Sequence, residues 1–237
     1  MQIQRAYIKI KKAIDSILLR SKVSYAQSGE DIIADYFFQN IGIRKPSYID
    51  IGANHPFKGS NTYLFYLRGG KGICVEPDIS LIETFKKKRP NDLILNMGVS
   101  VEKASEADFY HFDGHYRAWN TFSLADAENK QKESGIPFSV CAVRLETVND
   151  IIKLYQPGHI NFLSIDVEGW DLQILKSIDF SILKPELICV ESINFSLNNI
   201  LGKNSEMISY MQTKGYTVYA DTNLNTLFCR NDTLNLS

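Results

Sequence analysis

Short apolar runs alternate with amphipathic segments along most of the chain, and this alternation constrains the fold more than any other feature. The amphipathic segments, such as ISLIETFKKKR and WDLQILKSI, have apolar residues at helical spacing. Because parallel strands need a long crossover between them, strands separated by helices predict one α/β domain with a mostly parallel sheet. The predicted strands of this sheet are SYIDIG, KGICVEP, DLILNMGVS, INFLSIDVEG and PELICVES.

The remaining segments complete a single predicted domain. A helix is expected from about Gly29 to Asn40, and the stretch from Glu102 to Gly135 is less regular. Asn204 and Gly215 fit the start and stop of a helix, and YTVYADTNLNTLFCR predicts two closing strands. We expect N-terminal helices over 1–45, packed on a main domain at 46–230, and a polar tail at 231–237.

Composition excludes several function classes. With 26 Lys and Arg against 27 Asp and Glu among 237 residues, the basic footprint of a nucleic-acid-binding protein is absent. No apolar run reaches the roughly 18 residues that a membrane span needs. The four cysteines are far apart and form no CxxC pair, which predicts a reduced, cytoplasmic protein.

The N-terminal segment MQIQRAYIKIKKAIDSILLRSK has two interpretations. Its apolar residues fall at helical spacing and are interleaved with basic ones. Such a helix could lie on a membrane surface, or dock on the domain or on a second subunit of a homo-oligomer. We favour docking, because no Trp or Phe anchors the apolar side.

The predicted strands end in acidic or amidic residues, and ligands of parallel sheets gather at these carboxyl ends. The five strand-end residues are Asp50, Glu76, Asn96, Asp166 and Glu191.

The loop after Asp50 favours S-adenosylmethionine as the ligand. Gly52 and Ala53 allow close approach of the backbone, and Glu76 can accept two hydrogen bonds from a ribose. A dinucleotide would need a glycine cradle for its pyrophosphate, but residues 53–56 are ANHP. S-adenosylmethionine has an adenosine and positive charges but no phosphate. Asn96 would then lie near its adenine edge.

Several blocks of the sequence resemble the FkbM family of S-adenosylmethionine-dependent methyltransferases. This resemblance implies a class I methyltransferase fold, Rossmann-like, with a seven-stranded, mostly parallel sheet whose last strand is antiparallel. It also implies methyl transfer to oxygen, often on a sugar hydroxyl. The blocks are AQSGED (26–31), YIDIGANHPFKGSNT (48–62), GICVEP (72–77), NMGVS (96–100), IDVEGWDLQIL (165–175) and ELICVES (186–192).

The resemblance also implies roles for individual residues. Glu76, with Pro77 beside it, holds the ribose, and Gln27 and Glu30 reach the methionine end. The cofactor loop and the start of the next helix are formed by Asp50, Gly52, Ala53, Asn54, Ser60, Asn61 and Thr62.

Acidic residues at the fourth and fifth parallel strand ends are the predicted catalytic group. Asp166 and Glu191 end neighbouring strands, and Glu168 can point into the same cleft. In one arrangement an acid is the general base for the attacking hydroxyl, and Asp166 also borders the cofactor. In the other, Asp166 and Glu191 bind a divalent cation such as Mg²⁺ or Mn²⁺.

Two further segments have open interpretations. His55 follows the cofactor loop and could be a base, a metal ligand or a surface residue. The segment RAWNTFSL suits recognition of a sugar or nucleotide sugar, with Trp119 for stacking, Arg117 for a diphosphate and Asn120 for hydrogen bonds. It suits an ordinary lid equally well.

The sequence therefore predicts an S-adenosylmethionine-dependent O-methyltransferase acting on a sugar, in polysaccharide or natural-product glycan biosynthesis. Two alternatives stay open. One is a nicotinamide-dependent oxidoreductase on a similar sheet, and the other is a non-catalytic subunit of a glycan assembly complex.

Overall fold

The computed structural model describes residues 22–167, 169–194 and 202–233. Predictions on the N-terminal basic helix, on Glu168 and on the end of the polar tail lie outside these residues.

Twelve strands and seven α-helices follow one another in the described residues. The strands are β1 (Tyr48–Ile51), β2 (Gly72–Val75), β3 (Leu93–Leu95), β4 (Gly98–Val99), β5 (Glu106–His111), β6 (Ser139–Glu146), β7 (Phe162–Ile165), β8 (Leu187–Glu191), β9 (Ile193–Asn194), β10 (Gly202–Lys203), β11 (Tyr216–Asp221) and β12 (Asn225–Arg230). The helices are α1 (Glu30–Asn40), α2 (Tyr63–Leu67), α3 (Ile79–Lys88), α4 (Leu124–Ser134), α5 (Val148–Tyr155), α6 (Asp171–Ser177) and α7 (Ser205–Thr213). Two short 3₁₀ turns are η1 (Gly114–Trp119) and η2 (Asn231–Thr233).

Seven strands form the central sheet in the order β3-β2-β1-β7-β8-β12-β11. The pairs from β3 to β8 are parallel, whereas β12 is antiparallel to both β8 and β11. Because β11 is antiparallel to β12, it runs with the other strands, and β12 alone is reversed. This arrangement confirms the predicted α/β class with an antiparallel last strand.

Each face of the central sheet is buried under helices, as parallel sheets require. On one face, Ile49 and Ile51 of β1 join a core that includes Ile151 of α5 and Leu175 of α6. On the other face, Tyr48 packs in a second core. That core also contains Phe37 and Phe38 of α1, Phe65 of α2, and Leu81 and Phe85 of α3.

The third predicted strand differs from the structure. DLILNMGVS was expected to be one strand, but it forms β3 in the central sheet and β4 in a separate three-stranded sheet, β4-β6-β5. The break lies at Asn96, whose side-chain amide donates hydrogen bonds to the carbonyl oxygens of Glu76 and Pro77, both at 2.9 Å. The chain turns there and leaves the central sheet.

Side-chain caps define where α7 and α3 begin. Asn204 accepts a hydrogen bond from the Met207 amide at 3.0 Å, which confirms it as the N-cap of α7. Asp78 accepts one from the Ser80 amide at 2.8 Å and caps α3.

Candidate active site

The carboxyl ends of β1, β2 and β7 are linked by backbone hydrogen bonds. Ile51 pairs with Ile165, and the amide of Asp166 donates to the Ile51 carbonyl oxygen at 3.0 Å. The amides of Gly52 and Ala53 both donate to the Val75 carbonyl oxygen, at 3.1 and 3.0 Å. The turn after β1 is therefore held against the strands on both sides.

Gly52 cannot be replaced at this turn without a clash. Its φ is +74°, and a Cβ built there would lie 1.8 Å from the carbonyl oxygen of Asp166. Asn54, two residues on, has φ of 48°, a left-handed conformation that Asn tolerates better than most residues. In the local sequence GAN, the glycine thus allows the close approach of the Asp166 carbonyl oxygen, and the asparagine tolerates the left-handed conformation.

Glu76 closes the floor of the site. Its two carboxylate oxygens accept hydrogen bonds from the amides of Asn54 and Asp78, each at 2.7 Å. The side chain is buried, and this burial raises the pKa of Glu76 to about 8, although the two backbone donors oppose the shift. A ligand hydroxyl that donates to Glu76 would favour its ionised form.

Asp50 faces the segment that follows the cofactor loop. Its carboxylate accepts a hydrogen bond from the Thr62 hydroxyl at 2.5 Å. Burial raises the pKa of Asp50, and the nearby Arg89 guanidinium works against that rise. Next to this pair, the Asn61 amide donates to the Ser164 hydroxyl at 3.1 Å. These contacts fix the start of α2 against β1 and β7.

Arg89 is a buried cation behind the same segment. Its guanidinium donates to Asp92 at 2.7 Å and to the Thr62 hydroxyl at 2.9 Å, with longer contacts of 3.4 Å to the Ser60 hydroxyl and the Pro56 carbonyl oxygen. Through the contacts to Pro56, Ser60 and Thr62, Arg89 holds residues 56–62 from below.

The segment before α1 completes the edge of the site. The amide of Ser60 donates to the Tyr25 carbonyl oxygen at 2.9 Å, which brings Gln27 to the site. Glu30 instead turns towards the β11–β12 turn. Its carboxylate accepts hydrogen bonds from Thr222 at 2.7 Å and from Asn225 at 2.8 Å.

Two adjoining cavities lie over the strand ends. The larger has a volume of about 480 Å³, and the smaller, which is mainly polar, has a volume of about 60 Å³. Of the predicted site residues, the larger cavity is lined by Gln27, Gly52, Asn54, Glu76, Pro77, Arg117, Asn120 and Asp166. The smaller is lined by Gln27, Asp50, Gly52, Ala53, Asn54, Ser60, Asn61 and Asp166.

The roof of the larger cavity comes from the three-stranded sheet, η1 and the residues that follow η1. Phe109 and Phe122 line it with their ring centroids 4.8 Å apart. Asp78 links this roof to the central sheet, because its carboxylate lies 3.2 Å from His111 Nε2 and 3.4 Å from the Asn120 amide. Arg117 Nε lies 4.0 Å from the same carboxylate, and within the described chain this buried nitrogen has no hydrogen-bond partner.

Several predicted residues lie outside the linings of these two cavities. The Nδ1 atom of His55 accepts hydrogen bonds from the amides of Phe57 at 3.3 Å and Lys58 at 3.2 Å. Trp119 packs against Phe112 and Tyr116. The others outside the linings are Glu30, Thr62, Asn96 and Glu191.

The predicted acidic pair lies on neighbouring strands. Ile165 pairs with Val190, so Asp166 and Glu191 follow a paired position on β7 and β8. In the described part of the chain, no three His, Cys, Asp or Glu side chains are grouped to hold a metal ion.

Three residues that shape the site were missed from the sequence. Arg89 is the last residue of the run KKKR. Such a run predicts a solvent-exposed basic surface, so the burial of Arg89 could not be predicted from the sequence. Asp171 accepts hydrogen bonds from the amides of Val167 and Gly169, both at 3.1 Å. Trp170 lines the larger cavity. The repeated acids and glycine of DVEGWD could have indicated such a self-bonded turn.

The strand order with one reversed strand, together with a cavity over the strand ends, defines a Rossmann-like α/β protein of the class I methyltransferase type. The model of the methyltransferase FkbM domain family matches residues 50–218. The chain belongs to this family, as the sequence blocks implied.

Solved structures match the chain at low similarity. A TehB-like SAM-dependent methyltransferase from Corynebacterium glutamicum is 9% identical, with a TM-score of 0.43 and coverage of 96% of this chain and 98% of that one. An O-methyltransferase from Bacillus cereus, in complex with SAH, is 8% identical, with a TM-score of 0.42 and coverage of 94% and 88%. Such values are too low to transfer a ligand or substrate to this chain.

No curated protein was found to match the chain. Among the described helices, none is long and apolar enough to cross a membrane.

Proposed function

We propose that the chain is an S-adenosylmethionine-dependent O-methyltransferase whose acceptor is a hydroxyl of a sugar or nucleotide-linked sugar. The observation that carries the proposal is that Glu76, the Gly52 turn and Asp166 all border one cavity over the strand ends. Membership of the FkbM family supports the methyl-transfer part.

The two adjoining cavities fit the two ends of S-adenosylmethionine. The larger one offers Glu76 to a ribose diol and the apolar side chains of Leu81 and Met97 to an adenine. The smaller one offers Asp50 and the Ser60–Asn61 segment to the charged amino-acid end. When bound, this cofactor supplies an electrophilic methyl group on a positively charged sulfur.

The same residues disfavour a dinucleotide. Residues 53–56 are ANHP instead of a glycine cradle, and His55 Nδ1 already accepts hydrogen bonds from the turn that follows. Asp166, which borders both cavities, adds a carboxylate where a pyrophosphate would be repelled. The oxidoreductase alternative therefore gains no support from the site.

Asp166 is the proposed general base. It borders both cavities, so an acceptor hydroxyl beside the methyl group would meet its carboxylate. Glu191, at the neighbouring strand end, is the second carboxylate on this side. Most of the rate enhancement would come from alignment of the acceptor and exclusion of water.

A Mg²⁺ or Mn²⁺ ion held by Asp166 and Glu191 is the second arrangement within the proposal. Mg²⁺ often binds through one or two carboxylates plus water and substrate oxygens, which two strand-end acids can provide. It would lower the pKa of the acceptor hydroxyl. An assay with and without a chelator distinguishes the two arrangements, because only the metal-dependent one should lose activity when the chelator is added.

Arg117 and Asn120 are the proposed acceptor contacts, because both line the cavity beneath the roof. A guanidinium suits the diphosphate of a nucleotide sugar. The four cysteines are free thiols, three of them buried, which supports a reducing compartment such as the cytoplasm.

The test is a methyl-transfer screen with radiolabelled S-adenosylmethionine, using UDP-, GDP- and dTDP-sugars and a printed glycan array, each with and without EDTA. We expect transfer to the oxygen of at least one sugar. Binding of S-adenosylhomocysteine without transfer to any acceptor would instead favour the non-catalytic alternative.

A further inference from the structure

Trp170 is a large aromatic side chain at the open side of the proposed site. It lines the larger cavity together with Asp166 and Ile174, yet 53% of its surface is exposed. A residue that both lines a cavity and faces solvent lies at the cavity mouth.

The backbone that presents Trp170 is held in place. Gly169 has φ of +89°, and the Asp171 carboxylate accepts hydrogen bonds from the amides of Val167 and Gly169. Asp171 itself is buried at the start of α6. The backbone next to Trp170 is therefore held by the buried carboxylate of Asp171. A residue that positions a ligand needs such support.

Trp170 is not a member of the described hydrophobic core clusters. The other tryptophan, Trp119, packs on Phe112 at 5.8 Å and on Tyr116 at 4.7 Å between ring centroids. Among the described residues, no aromatic ring contact involves Trp170. An exposed aromatic surface beside a cavity is typical of a ligand contact.

The size of the cavity leaves the acceptor at its mouth. A volume of about 480 Å³ is that of a site for one small ligand, and the cofactor would occupy most of it. The acceptor must then approach from the open side of the cavity, where the half-exposed Trp170 shares the lining with Asp166.

We propose that Trp170 is the acceptor platform: its indole stacks on the apolar face of a sugar ring and turns one hydroxyl of that ring towards Asp166. This inference rests on the proposed function and specifies its acceptor site as an open rim. Such a rim accepts a ring within a longer glycan or a nucleotide sugar, because the rest of the molecule stays outside.

The test compares Trp170→Ala, Trp170→Phe and the control Trp119→Phe on the UDP-, GDP- and dTDP-sugars and printed glycans of the screen. We expect Trp170→Ala to lower kcat/KM about tenfold, mainly through the acceptor KM, because a lost aromatic contact has about this effect. Trp170→Phe should recover most of the loss, and Trp119→Phe should leave the acceptor KM unchanged. S-adenosylhomocysteine affinity should stay within about twofold in all three.

Two results with Trp170→Ala would overturn the platform alone. In one, Trp170→Ala keeps the wild-type acceptor KM. In the other, Trp170→Ala weakens the binding of S-adenosylhomocysteine as strongly as that of the acceptor, which would mean that Trp170 contacts the cofactor. If the wild type binds S-adenosylhomocysteine but uses no sugar of the panel, the sugar acceptor and the platform fall together. If the wild type does not bind S-adenosylhomocysteine, the proposed function itself is refuted.

Discussion

The two walls of the larger cavity are built differently. The sheet-end wall, formed by Gly52, Asn54, Glu76 and Asp166, consists of backbone turns whose hydrogen bonds run to neighbouring strands. The roof wall comes from the small sheet, η1 and the residues that follow η1, and it is formed by Phe109, Arg117, Asn120 and Phe122. Asp78 joins it to the central sheet through His111 and Asn120.

This difference separates a preformed side of the site from an adaptable one. The backbone turns of the sheet-end wall are fixed by strand register and buried contacts, so a change that displaces a turn disturbs cofactor binding and the fold together. The roof wall and the rim depend on individual side chains. A change there should alter acceptor use and leave the cofactor bound.

The largest effect is expected for Gly52→Ala. The new methyl group would overlap the Asp166 carbonyl oxygen, and the residue would also keep a left-handed φ. We expect a loss of about 3 kcal/mol or more in the free energy of unfolding, with S-adenosylhomocysteine binding abolished. Chemical denaturation and calorimetric titration measure the two effects.

Gly135→Ala is the matched control, because Gly135 has the same φ of +74° but no atom within 4 Å of a new Cβ. It should cost about 1 kcal/mol in the free energy of unfolding and leave ligand binding intact. Equal effects of the two substitutions would mean that backbone strain, and not the contact with the Asp166 carbonyl oxygen, makes Gly52 necessary.

Asp166→Asn should separate chemistry from binding. The amide keeps the shape of the side chain but cannot accept the acceptor's proton at neutral pH. We expect kcat to fall by about 10² to 10⁴, with S-adenosylhomocysteine affinity within a few-fold of wild type. The exposed Asp113→Asn is the control. Wild-type turnover by the Asp166 variant would reject this residue as the base.

Arg89→Lys tests the support beneath the sheet-end wall. A lysine keeps the charge but cannot reach Asp92, Thr62 and Ser60 at once. We expect a loss of about 2 kcal/mol in the free energy of unfolding and several-fold weaker S-adenosylhomocysteine binding. Arg68→Lys, at a partly exposed pair with Asp35, should cost less than about 1 kcal/mol. Similar losses in both variants would argue against a special role for Arg89.

The smallest predicted effect is a pH dependence set by Glu76. With a pKa of about 8 in the free protein, Glu76 is mostly protonated at pH 7 and ionised at pH 9. If the ribose prefers the carboxylate, S-adenosylhomocysteine affinity should rise by about tenfold between these pH values. Glu76→Gln should bind more weakly and show a flat profile. A wild-type profile as flat as that of the variant would contradict this role.

The raised pKa of Glu76 should also make the stability of the ligand-free protein depend on pH. Its pKa in the folded chain lies above its ordinary value of 4.5, so the fold favours the protonated form. The stabilisation is complete below pH 4.5 and is lost as pH rises through 8. Relative to Glu76→Gln, the wild-type melting temperature should therefore fall between about pH 5 and pH 8.

The central sheet was predictable from the sequence because its signal is repeated and local. Every predicted strand of the main sheet, the reversed closing strand and the cap at Asn204 appear in the structure. The split at Asn96 was not predictable, because it depends on hydrogen bonds to Glu76 and Pro77 across the sheet.

The candidate site was only partly predictable for a similar reason. Strand-end residues such as Glu76 and Asp166 follow from register, and both line the cavity. Which aromatic ring faces that cavity depends on tertiary packing. Trp119 was expected to stack on a sugar, but its ring packs on Phe112, while Trp170 lines the cavity. Likewise, burial alone distinguishes Arg89 from the lysines before it.

The most direct test is calorimetric titration of the wild-type protein with S-adenosylhomocysteine and, separately, with NAD⁺. We predict saturable one-to-one binding of S-adenosylhomocysteine, at least tenfold weaker in Glu76→Ala, and no saturation by NAD⁺. Tight binding of NAD⁺ together with no heat from S-adenosylhomocysteine would contradict the assignment of the strand-end cavity to a methyl donor.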